Sequence, residues 1–318
     1  MNLAKALMIS IQLLKKENTD EALLFLQPYE SECVNLASEI LRGSTDCWRV
    51  IYNDEASQTK MLAGLFALRK KRSLFFCLPF AKYKSAFDKK VCSEAQRPLM
   101  EFFESREPFC VNGEAAGAIF LRNILKNKKS PMRPSVTNKY FLMVSGQARA
   151  NSGIEARSQN SGEENQEAFN AQNSGGGLRV VQATAADFDS LLPLELGYQR
   201  EEVVPASFDI SDAALGAAFK HELGQGLTFA LYDGDRPIAK ARVSACGLRH
   251  CMLGGVYTIP SERKKCRASF LVKQIIARSQ AHGINNFCLY AKQENAAALA
   301  LYKSLGFVPR GEYLLVYY

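Results

Sequence analysis

Short apolar runs rich in β-branched and aromatic residues alternate with longer segments of helical periodicity in the C-terminal part of the chain. Runs of the first kind, bounded by turn residues, predict strands, and apolar spacings of three and four predict helices. The predicted strands are LRVVQAT (178–184), LTFALYD (227–233), PIAKARVSA (237–245), HCMLGGVYT (250–258), NNFCLY (285–290) and EYLLVYY (312–318). The predicted helices span 186–202, 212–223, 268–282 and 295–305, with a hairpin at Gly234-Asp235. This order predicts an α/β fold, a mixed sheet covered by helices on both faces.

The N-terminal part repeats this order with weaker signals. A strand-like CWRVIYN is followed by a hairpin-like segment, a helical segment, and then strand, helix and strand signals; these occupy 47–53, 61–80, 93–107, 108–126 and 139–144. Leu3, Leu7, Ile11 and Leu14 fall on one helical face, so we also expect an amphipathic helix, and not a signal peptide, at the start of the sequence.

Residues 145–177 differ in composition from the rest of the chain. Ser, Gly, Asn, Gln and Glu dominate there, and large apolar side chains are almost missing. Such a segment cannot bury enough apolar surface to offset the entropy that it loses on ordering. We therefore predict a flexible low-complexity linker between an N-terminal lobe (1–144) and a C-terminal domain (178–318).

The composition is that of an ordinary globular protein, with 47% hydrophobic and 23% charged residues among 318. The nine cysteines include no C-x-x-C pair, so we expect reduced thiols and no bound metal. No apolar run approaches the ~20 residues that a membrane span needs. We expect a cytoplasmic protein without a membrane partner, as a monomer or a homodimer.

Most of the net charge of +8 comes from residues before 146. An excess of cations permits contact with a polyanion, but RKKR (69–72) lies between two strand-like runs, which favours a solvated hairpin turn. The interleaved aromatic residues of a single-strand nucleic-acid platform are not apparent around these cations. The sequence therefore does not favour nucleic acid as a partner.

A basic cluster lies between a predicted strand and a predicted helix in GGVYTIPSERKKCRASFLVKQII (254–276). Pro260 ends the strand, and the following loop brings residues 263–268 to the first turn of the helix. Free backbone N–H groups and the helix dipole favour an anion there, and four cationic side chains strengthen the preference. The cluster suits a pyrophosphate, and the alternative is a solvated basic helix start.

Three motifs after residue 177 resemble those of the GNAT superfamily of N-acetyltransferases. GGVYTIPSERKKCRA (254–268) resembles the acetyl-CoA-binding strand, loop and helix, and GEYLLVYY (311–318) resembles the closing strand. NAAALALYKSLGF (295–307) resembles the second cofactor-contacting helix and carries its highly specific N-x-x-A-x-x-L-Y-x-x-x-G-F pattern. The combination of EEVVP (201–205) and GGVYTIP (254–260) resembles that of little-characterised predicted acetyltransferases, which carry an extra N-terminal lobe.

The resemblance implies acetyl-CoA as cosubstrate and assigns the positions that bind it. Backbone groups of the strand would pair with the amide-rich pantetheine arm, at Val256, Tyr257 and Thr258. The pyrophosphate would lie against Arg263, Lys264, Lys265, Cys266, Arg267, Ala268 and Ser269. Asn295 would contact the pantetheine, cap its own helix, or do both. Cys266 stands where the signature has glycine, either as a tolerated small residue or as a redox-sensitive thiol among cations.

The resemblance also implies a catalytic acid and leaves the base open. Tyr302 matches the tyrosine that protonates the departing CoA thiolate, a task for a phenol that stays protonated at neutral pH; the alternative is a packed aromatic residue. An ammonium acceptor must lose a proton before it attacks, yet Tyr290 stands where some members have a glutamate base. Glu201 and Glu202, at the end of the helix 186–202, are our candidates, with a solvated acidic helix end as the alternative.

Histidines are weaker candidates for the base. They are His221, His250 and His282, the last of which lies beside a helix C-terminus, where an imidazole is commonly structural.

The N-terminal lobe lacks both the basic phosphate loop and the N-x-x-A-x-x-L-Y pattern. We therefore predict a degenerate GNAT-like lobe that does no chemistry and supports the acceptor pocket or the pairing of the lobes.

Two hypotheses of function follow. The first is an acetyl-CoA-dependent N-acetyltransferase that moves an acetyl group to a primary amine, of a small molecule or a protein, by direct attack. The second is a catalytically silent acyl-CoA-binding or regulatory protein.

Overall fold

The computed structural model describes residues 8–54, 58–70, 72–145, 177–204 and 208–318. Within these ranges twelve strands form one mixed sheet. They are β1 (Ile9–Leu13), β2 (Cys47–Asp54), β3 (Thr59–Arg69), β4 (Ser73–Cys77), β5 (Cys110–Glu114), β6 (Val136–Ser145), β7 (Leu178–Gln182), β8 (Thr228–Asp233), β9 (Arg236–Cys246), β10 (His250–Thr258), β11 (Asn286–Lys292) and β12 (Phe307–Tyr317). The order across the sheet is β1-β2-β3-β4-β5-β12-β6-β11-β10-β9-β8-β7. All of the predicted linker except its two end residues lies outside the described residues.

Eight α-helices of the described ranges pack on this sheet. They are α1 (Thr19–Leu26), α2 (Val34–Leu41), α3 (Ala86–Phe103), α4 (Ala115–Asn127), α5 (Phe188–Tyr198), α6 (Asp212–Leu223), α7 (Arg267–Ala281) and α8 (Ala296–Ser304). A π-helical turn, Gln199–Val203, extends α5. The predicted α/β class and the helices predicted after residue 177 are confirmed. None of the described helices is long and apolar enough to cross a membrane.

The alternation of side chains along β3 explains why the sheet is covered on both faces. Phe66 and Leu68 belong to the core that includes residues of α3 and α4, whereas Leu65 and Ala67 belong to the core that includes residues of α1 and α2. Because successive side chains of a strand point to opposite faces, these are two different layers. The sheet is therefore the middle layer of the N-terminal lobe.

Each lobe contains a parallel strand pair that separates after three residues. Residues 73–75 of β4 pair with 110–112 of β5, and residues 250–252 of β10 pair with 286–288 of β11. Both pairs follow an antiparallel hairpin and precede a helix, so the order of elements is the same in the two lobes. This confirms the prediction that the N-terminal part repeats the C-terminal one.

The two lobes exchange their last strands. The strand β6 lies between β11 and β12, and β12 lies between β5 and β6. The central β6–β12 pair is antiparallel and runs from Phe307 opposite Ser145 to Tyr317 opposite Val136. A strand of the other lobe therefore completes the sheet of each lobe. The domain limits 1–144 and 178–318 remain a prediction.

In the N-terminal lobe the gap between the separating strands is filled. A Cβ added at Gly113 of β5 or at Gly117 of α4 would overlap the ring of Phe76. The ring thus occupies the place that a ligand would need, and the cavity left nearby has a volume of only about 10 Å³. This filling agrees with a degenerate lobe that does no chemistry.

The strand β1 corrects one prediction. Ile9–Leu13 pairs with β2 in antiparallel register, although apolar spacing predicts an amphipathic helix there. Ile9 is buried in the core and Ile11 packs against it, so alternation, supported by β-branched side chains, determines the structure of this segment. Leu3 and Leu7 lie outside the described residues.

The cysteines correct a second prediction. Reduced thiols are expected from the sequence, yet Cys246 and Cys251 form a disulfide between β9 and β10. The two residues lie directly opposite each other with their Cα atoms 4.2 Å apart, the close spacing of a non-hydrogen-bonded antiparallel pair. The other seven cysteines are free thiols, and the predicted cytoplasmic location stays a prediction.

Glu30, which lies between α1 and α2, joins the two lobes. Its Oε1 accepts a hydrogen bond from the backbone N–H of Arg249 at 2.8 Å, and its Oε2 lies 3.2 Å from Nδ1 of His250. A Cβ on Gly247 would overlap Oε1, so the β9–β10 turn closes tightly around the carboxylate. Burial opposes ionisation, but the hydrogen bonds from His250 and Arg249 outweigh it and lower the pKa of Glu30.

Candidate active site

A bulge in β10 lies where this strand separates from β11. Gly254 is opposite Arg242 and Tyr257 is opposite Lys240, so Gly255 and Val256 together face one residue of β9. Gly255 has φ of 60°, a conformation that favours glycine. The bulge widens the slot between β10 and β11.

A cavity of about 600 Å³ includes this slot. Its lining includes the bulge, the π-helical turn after α5 and the start of α8, and it continues over β11, β6, β12 and β5. The cavity is therefore bounded by both lobes.

Lys240 supports the bulge through a hydrogen bond to its backbone. Its side chain is buried; Nζ lies 2.5 Å from Oε2 of Glu195 and donates a hydrogen bond to the carbonyl oxygen of Gly255 at 3.2 Å. Nζ also lies 4.4 Å from the centre of the Tyr198 ring. Burial opposes ionisation of Glu195, but the adjacent Lys240 outweighs it, so the pKa of Glu195 is lowered. The bulge thus rests on a buried ion pair.

Glu201 and Glu202 both lie in the π-helical turn, but their side chains point in different directions. Glu201 accepts hydrogen bonds from the hydroxyl of Tyr257 at 2.9 Å and from the guanidinium of Arg263 at 2.8 Å. Glu202 lines the cavity, where its Oε1 accepts a hydrogen bond from Asn295 Nδ2 at 3.0 Å. Its Oε2 lies 3.8 Å from Nζ of Lys292. Only Glu202 of the two carboxylates faces the cavity within the described ranges.

Asn295 and Tyr302 lie on opposite ends of α8 and both line the cavity. The side chain of Asn295 caps the helix by accepting the N–H of Ala298 at 2.9 Å, so the predicted cap is confirmed. Tyr302 is 7% exposed and its ring packs edge-on against Phe307. Burial, and then the nearby Tyr198 and Glu202, raise the pKa of Tyr302, so its hydroxyl stays protonated at neutral pH.

The start of α7 has the backbone that an anion site requires. The helix begins at Arg267, and the side chain of its N-cap residue, Cys266, makes no capping hydrogen bond to its first N–H groups. Cys266 and Lys264 have φ of 58° and 62°, so both are in the left-handed conformation. This explains the glycine of the family signature at position 266, because glycine adopts that conformation without strain.

Three of the four cations at this helix start have carboxylate partners. Lys265 and Arg267 lie 2.9 and 3.2 Å from Glu262, and Arg263 pairs with Glu201. Lys264 has no ion-pair partner among the described residues. The side chains of Arg263 and Glu201 are 42% and 43% exposed, and an ion pair so exposed contributes little, so a phosphate can replace this carboxylate at small cost.

The three predicted strand positions are the last residues of β10, after the point where it separates from β11. Val256 lines the cavity, and the buried side chain of Tyr257 turns away toward Glu201. The hydroxyl of Thr258 is buried, with no hydrogen-bond partner in the described part of the chain.

Residues 191–307 match the model of the acetyltransferase (GNAT) family. These residues form a GNAT acetyltransferase domain. A comparison with curated proteins found no match.

Solved structures resemble the chain well beyond the GNAT domain. An acetyltransferase of the GNAT family from Colwellia psychrerythraea has a TM-score of 0.51 at 10% identity, over 97% of this chain and 98% of that one. A Drosophila protein has a TM-score of 0.55 at 12% identity, with the same coverage of 97% and 98%. A GNAT-family protein from Novosphingobium aromaticivorans has a TM-score of 0.38 at 17% identity; 58% of this chain matches 65% of it, less than two thirds of its length. At such identities the first two matches establish the fold alone, which is GNAT-like over nearly the whole chain.

The other candidates of the GNAT domain have different surroundings. His221 lines the cavity from α6, His250 binds Glu30, and His282 follows the last residue of α7. Tyr290 lines the cavity and stacks on Tyr313, with ring centres 3.7 Å apart.

Sequence reasoning missed the part of the cavity wall that the N-terminal lobe supplies. Asn35 of α2, Asn112 of β5 and Tyr140 of β6 line the cavity, although no motif marks them. In the RKKR segment, Arg69 ends β3 and pairs with Ser73, the first residue of β4, as the predicted hairpin requires. The first residues of this segment, Arg69 and Lys70, nevertheless line the cavity too.

Proposed function

We propose that the chain is an acetyl-CoA-dependent N-acetyltransferase that moves the acetyl group to a primary amine by direct attack. One observation carries the proposal: Glu202, Asn295 and Tyr302 line one cavity at the slot beside the bulge of β10. A proton acceptor, an amide group and a proton donor are then present where strand β10 leaves its neighbour.

The residues around the slot fit the coenzyme. The uncapped first turn of α7, with Lys264 and the exchangeable cations beside it, would hold the pyrophosphate. The backbone of the bulge, where β10 has separated from β11, would meet the amides of the pantetheine arm. Bound there, acetyl-CoA supplies the activated thioester. The described residues contain no group of three or more His, Cys, Asp or Glu that could hold a metal ion.

Glu202 would act as the proton acceptor. An ammonium group must lose one proton before its nitrogen can form a bond to the carbonyl carbon, and a carboxylate at the cavity wall can receive it directly or through water. Glu201 is held by Tyr257 and Arg263, so we assign it the task of fixing the π-helical turn.

The backbone of the bulge would stabilise the charge that develops on the carbonyl oxygen. The carbonyl of Gly255 is bound to Lys240. Because C=O and N–H of a trans peptide point in opposite directions, the N–H of Val256 points away from Lys240, and we place it in the slot. As the C–S bond breaks, Tyr302 would give its hydroxyl proton to the sulfur, and the second proton lost by the attacking nitrogen as the amide forms would restore the phenol.

Thiol release from acetyl-CoA tests this function. We expect release that depends on an amine, taken from a panel of amino acids, polyamines, amino sugars and peptides. Tyr302→Phe and Glu202→Gln should each lower kcat by ten- to a thousandfold, since acid–base catalysis contributes on that order, while coenzyme affinity stays within about twofold. Coenzyme binding without amine-dependent release, together with an unaffected Tyr302→Phe variant, would instead identify a silent acyl-CoA-binding protein.

A further inference from the structure

The cavity extends far beyond the proposed reacting groups. From Glu202 and Lys292 it continues over Tyr140 of β6 and Asn112 of β5 to Arg69 and Lys70 at the β3–β4 turn. Most of this extension is lined by the N-terminal lobe, so the acceptor, and not the coenzyme, is its natural occupant.

The strand order gives the length of this extension. Four strands, β4, β5, β12 and β6, lie between β3, which ends at Arg69, and β11, which ends at Lys292. Five interstrand spacings of ~4.8 Å amount to about 24 Å. Long side chains at both ends shorten the gap, but a small amine next to Glu202 cannot reach Arg69. A molecule that contacts both ends must be elongated.

The far end of the cavity carries unbalanced positive charge. Glu39 forms an ion pair with Arg69, at 3.4 Å from its Nε, and is shared with Arg42 at 3.9 Å. Lys70 has no ion-pair partner in the described ranges. The single charge of Glu39 is thus shared between Arg42 and Arg69, and an acidic group would balance the excess positive charge of Arg69 and Lys70.

Elsewhere in the cavity wall, each Lys or Arg side chain lies beside a carboxylate, and the remaining side chains are uncharged. Arg242 pairs with Glu222, and Lys292 lies beside Glu202. Between the two ends the wall presents amides and phenols, namely Asn35, Asn112, Tyr140, Tyr290 and Tyr317. Such groups can donate to and accept from the amide groups of a peptide backbone.

We propose, on the basis of the proposed acetyl transfer, that the acceptor is an extended peptide with an acidic residue. Its terminal amine reaches Glu202, and the acidic side chain, four to six residues along, pairs with Arg69 and Lys70. A stretch of four to six extended residues spans roughly 13–20 Å, which matches the distance left between side chains of the two ends.

Matched peptides test the proposal. Hexapeptides that differ only by Glu, Gln or Lys at position five are compared with a dipeptide of the same first two residues, in the thiol-release assay with the full chain. We expect kcat/KM to be about tenfold higher for the Glu peptide than for the Gln peptide, the size of one charge-assisted contact, and lower still for Lys and for the dipeptide.

Variants of the β3–β4 turn separate a specific contact from overall charge. The double variant Arg69→Gln/Lys70→Gln should remove the preference for Glu. Arg72→Gln removes a cation of the same turn that stacks on Phe109 and does not line the cavity, so it should keep the preference. Unchanged coenzyme affinity and unfolding midpoint in both variants show that any loss is local.

Equal rates for the Glu, Gln and Lys peptides, a preferred dipeptide, or equal loss in the Arg72→Gln control would overturn the peptide proposal while leaving acetyl transfer intact. Coenzyme binding without release to any amine would overturn the proposed function itself.

Discussion

A single buried lysine decides the shape of the proposed site. Lys240 forms an ion pair with Glu195 and donates a hydrogen bond to the carbonyl of Gly255, beneath the bulge that opens the slot. No sequence motif marks it, because a lysine in a strand is normally solvent-exposed. Its role depends on the register that places it opposite Tyr257.

Replacing the ion pair tests this role. Lys240→Met should lower stability by about 3–5 kcal/mol, because it leaves Glu195 as a buried unpaired charge. The double variant Lys240→Met/Glu195→Leu puts apolar groups in place of both charges, so its stability should recover. The kcat/KM of the double variant should remain at least about tenfold below that of the unchanged protein, because the carbonyl of Gly255 still lacks its hydrogen-bond donor. Denaturant unfolding and thiol-release rates check both expectations; full recovery of the rate would contradict the positioning role.

At the scale of elements, local pattern predicted much of what lies after residue 177. Gly234 ends β8 and Gly306 follows α8, both with positive φ, as the turn and helix-stop signals predict. The sequence pattern does not predict long-range pairings. The apolar spacing in β1 fits a helix as well as a strand, so its pairing with β2 is not predicted. Cys246 and Cys251 come together only through the register of the β9–β10 hairpin. Sequence motifs mark the residues on the cofactor side of the site. No motif marks Asn35 and Arg69, because only the folding of the N-terminal lobe brings them to the cavity.

The contact between Glu30 and the β9–β10 turn gives a pH dependence. The pKa of Glu30 is lower in the folded protein than in the unfolded chain, so the stabilisation is fully present above the unfolded value of about 4.3 and is lost as pH falls through the folded value. Glu30→Gln should therefore lower the free energy of unfolding by about 1–3 kcal/mol at pH 7.

The loss should shrink when unfolding by denaturant is measured near pH 3. The matched control is Glu21→Gln, which removes an exposed partner of Arg49 and should change stability by less than about 1 kcal/mol at either pH. A loss for Glu30→Gln that is the same at both pH values would contradict the account.

At the scale of the whole molecule, the exchanged strands make the two lobes interdependent. Without β6, the GNAT domain would lose the strand that lies between β11 and β12, and two unpaired edges would face water. The degenerate lobe thus has two tasks, to complete the sheet and, in our proposal, to bind the far end of the acceptor.

Splitting the chain between residues 145 and 177 tests this interdependence. We expect the fragment 177–318 alone to be unfolded or aggregated and to bind no coenzyme, and the two fragments produced together to assemble and to bind it. Size-exclusion chromatography, circular dichroism and coenzyme titration check the outcome. Coenzyme binding by the isolated fragment at the affinity of the full chain would mean that β6 is dispensable.

The most direct measurement is a crystal structure of the protein with acetyl-CoA. The account predicts the pyrophosphate at the first turn of α7, the carbonyl oxygen of the thioester within hydrogen-bond distance of the N–H of Val256, and the sulfur beside the hydroxyl of Tyr302. Electron density for the phosphates away from α7, or a thioester outside the slot between β10 and β11, would contradict it.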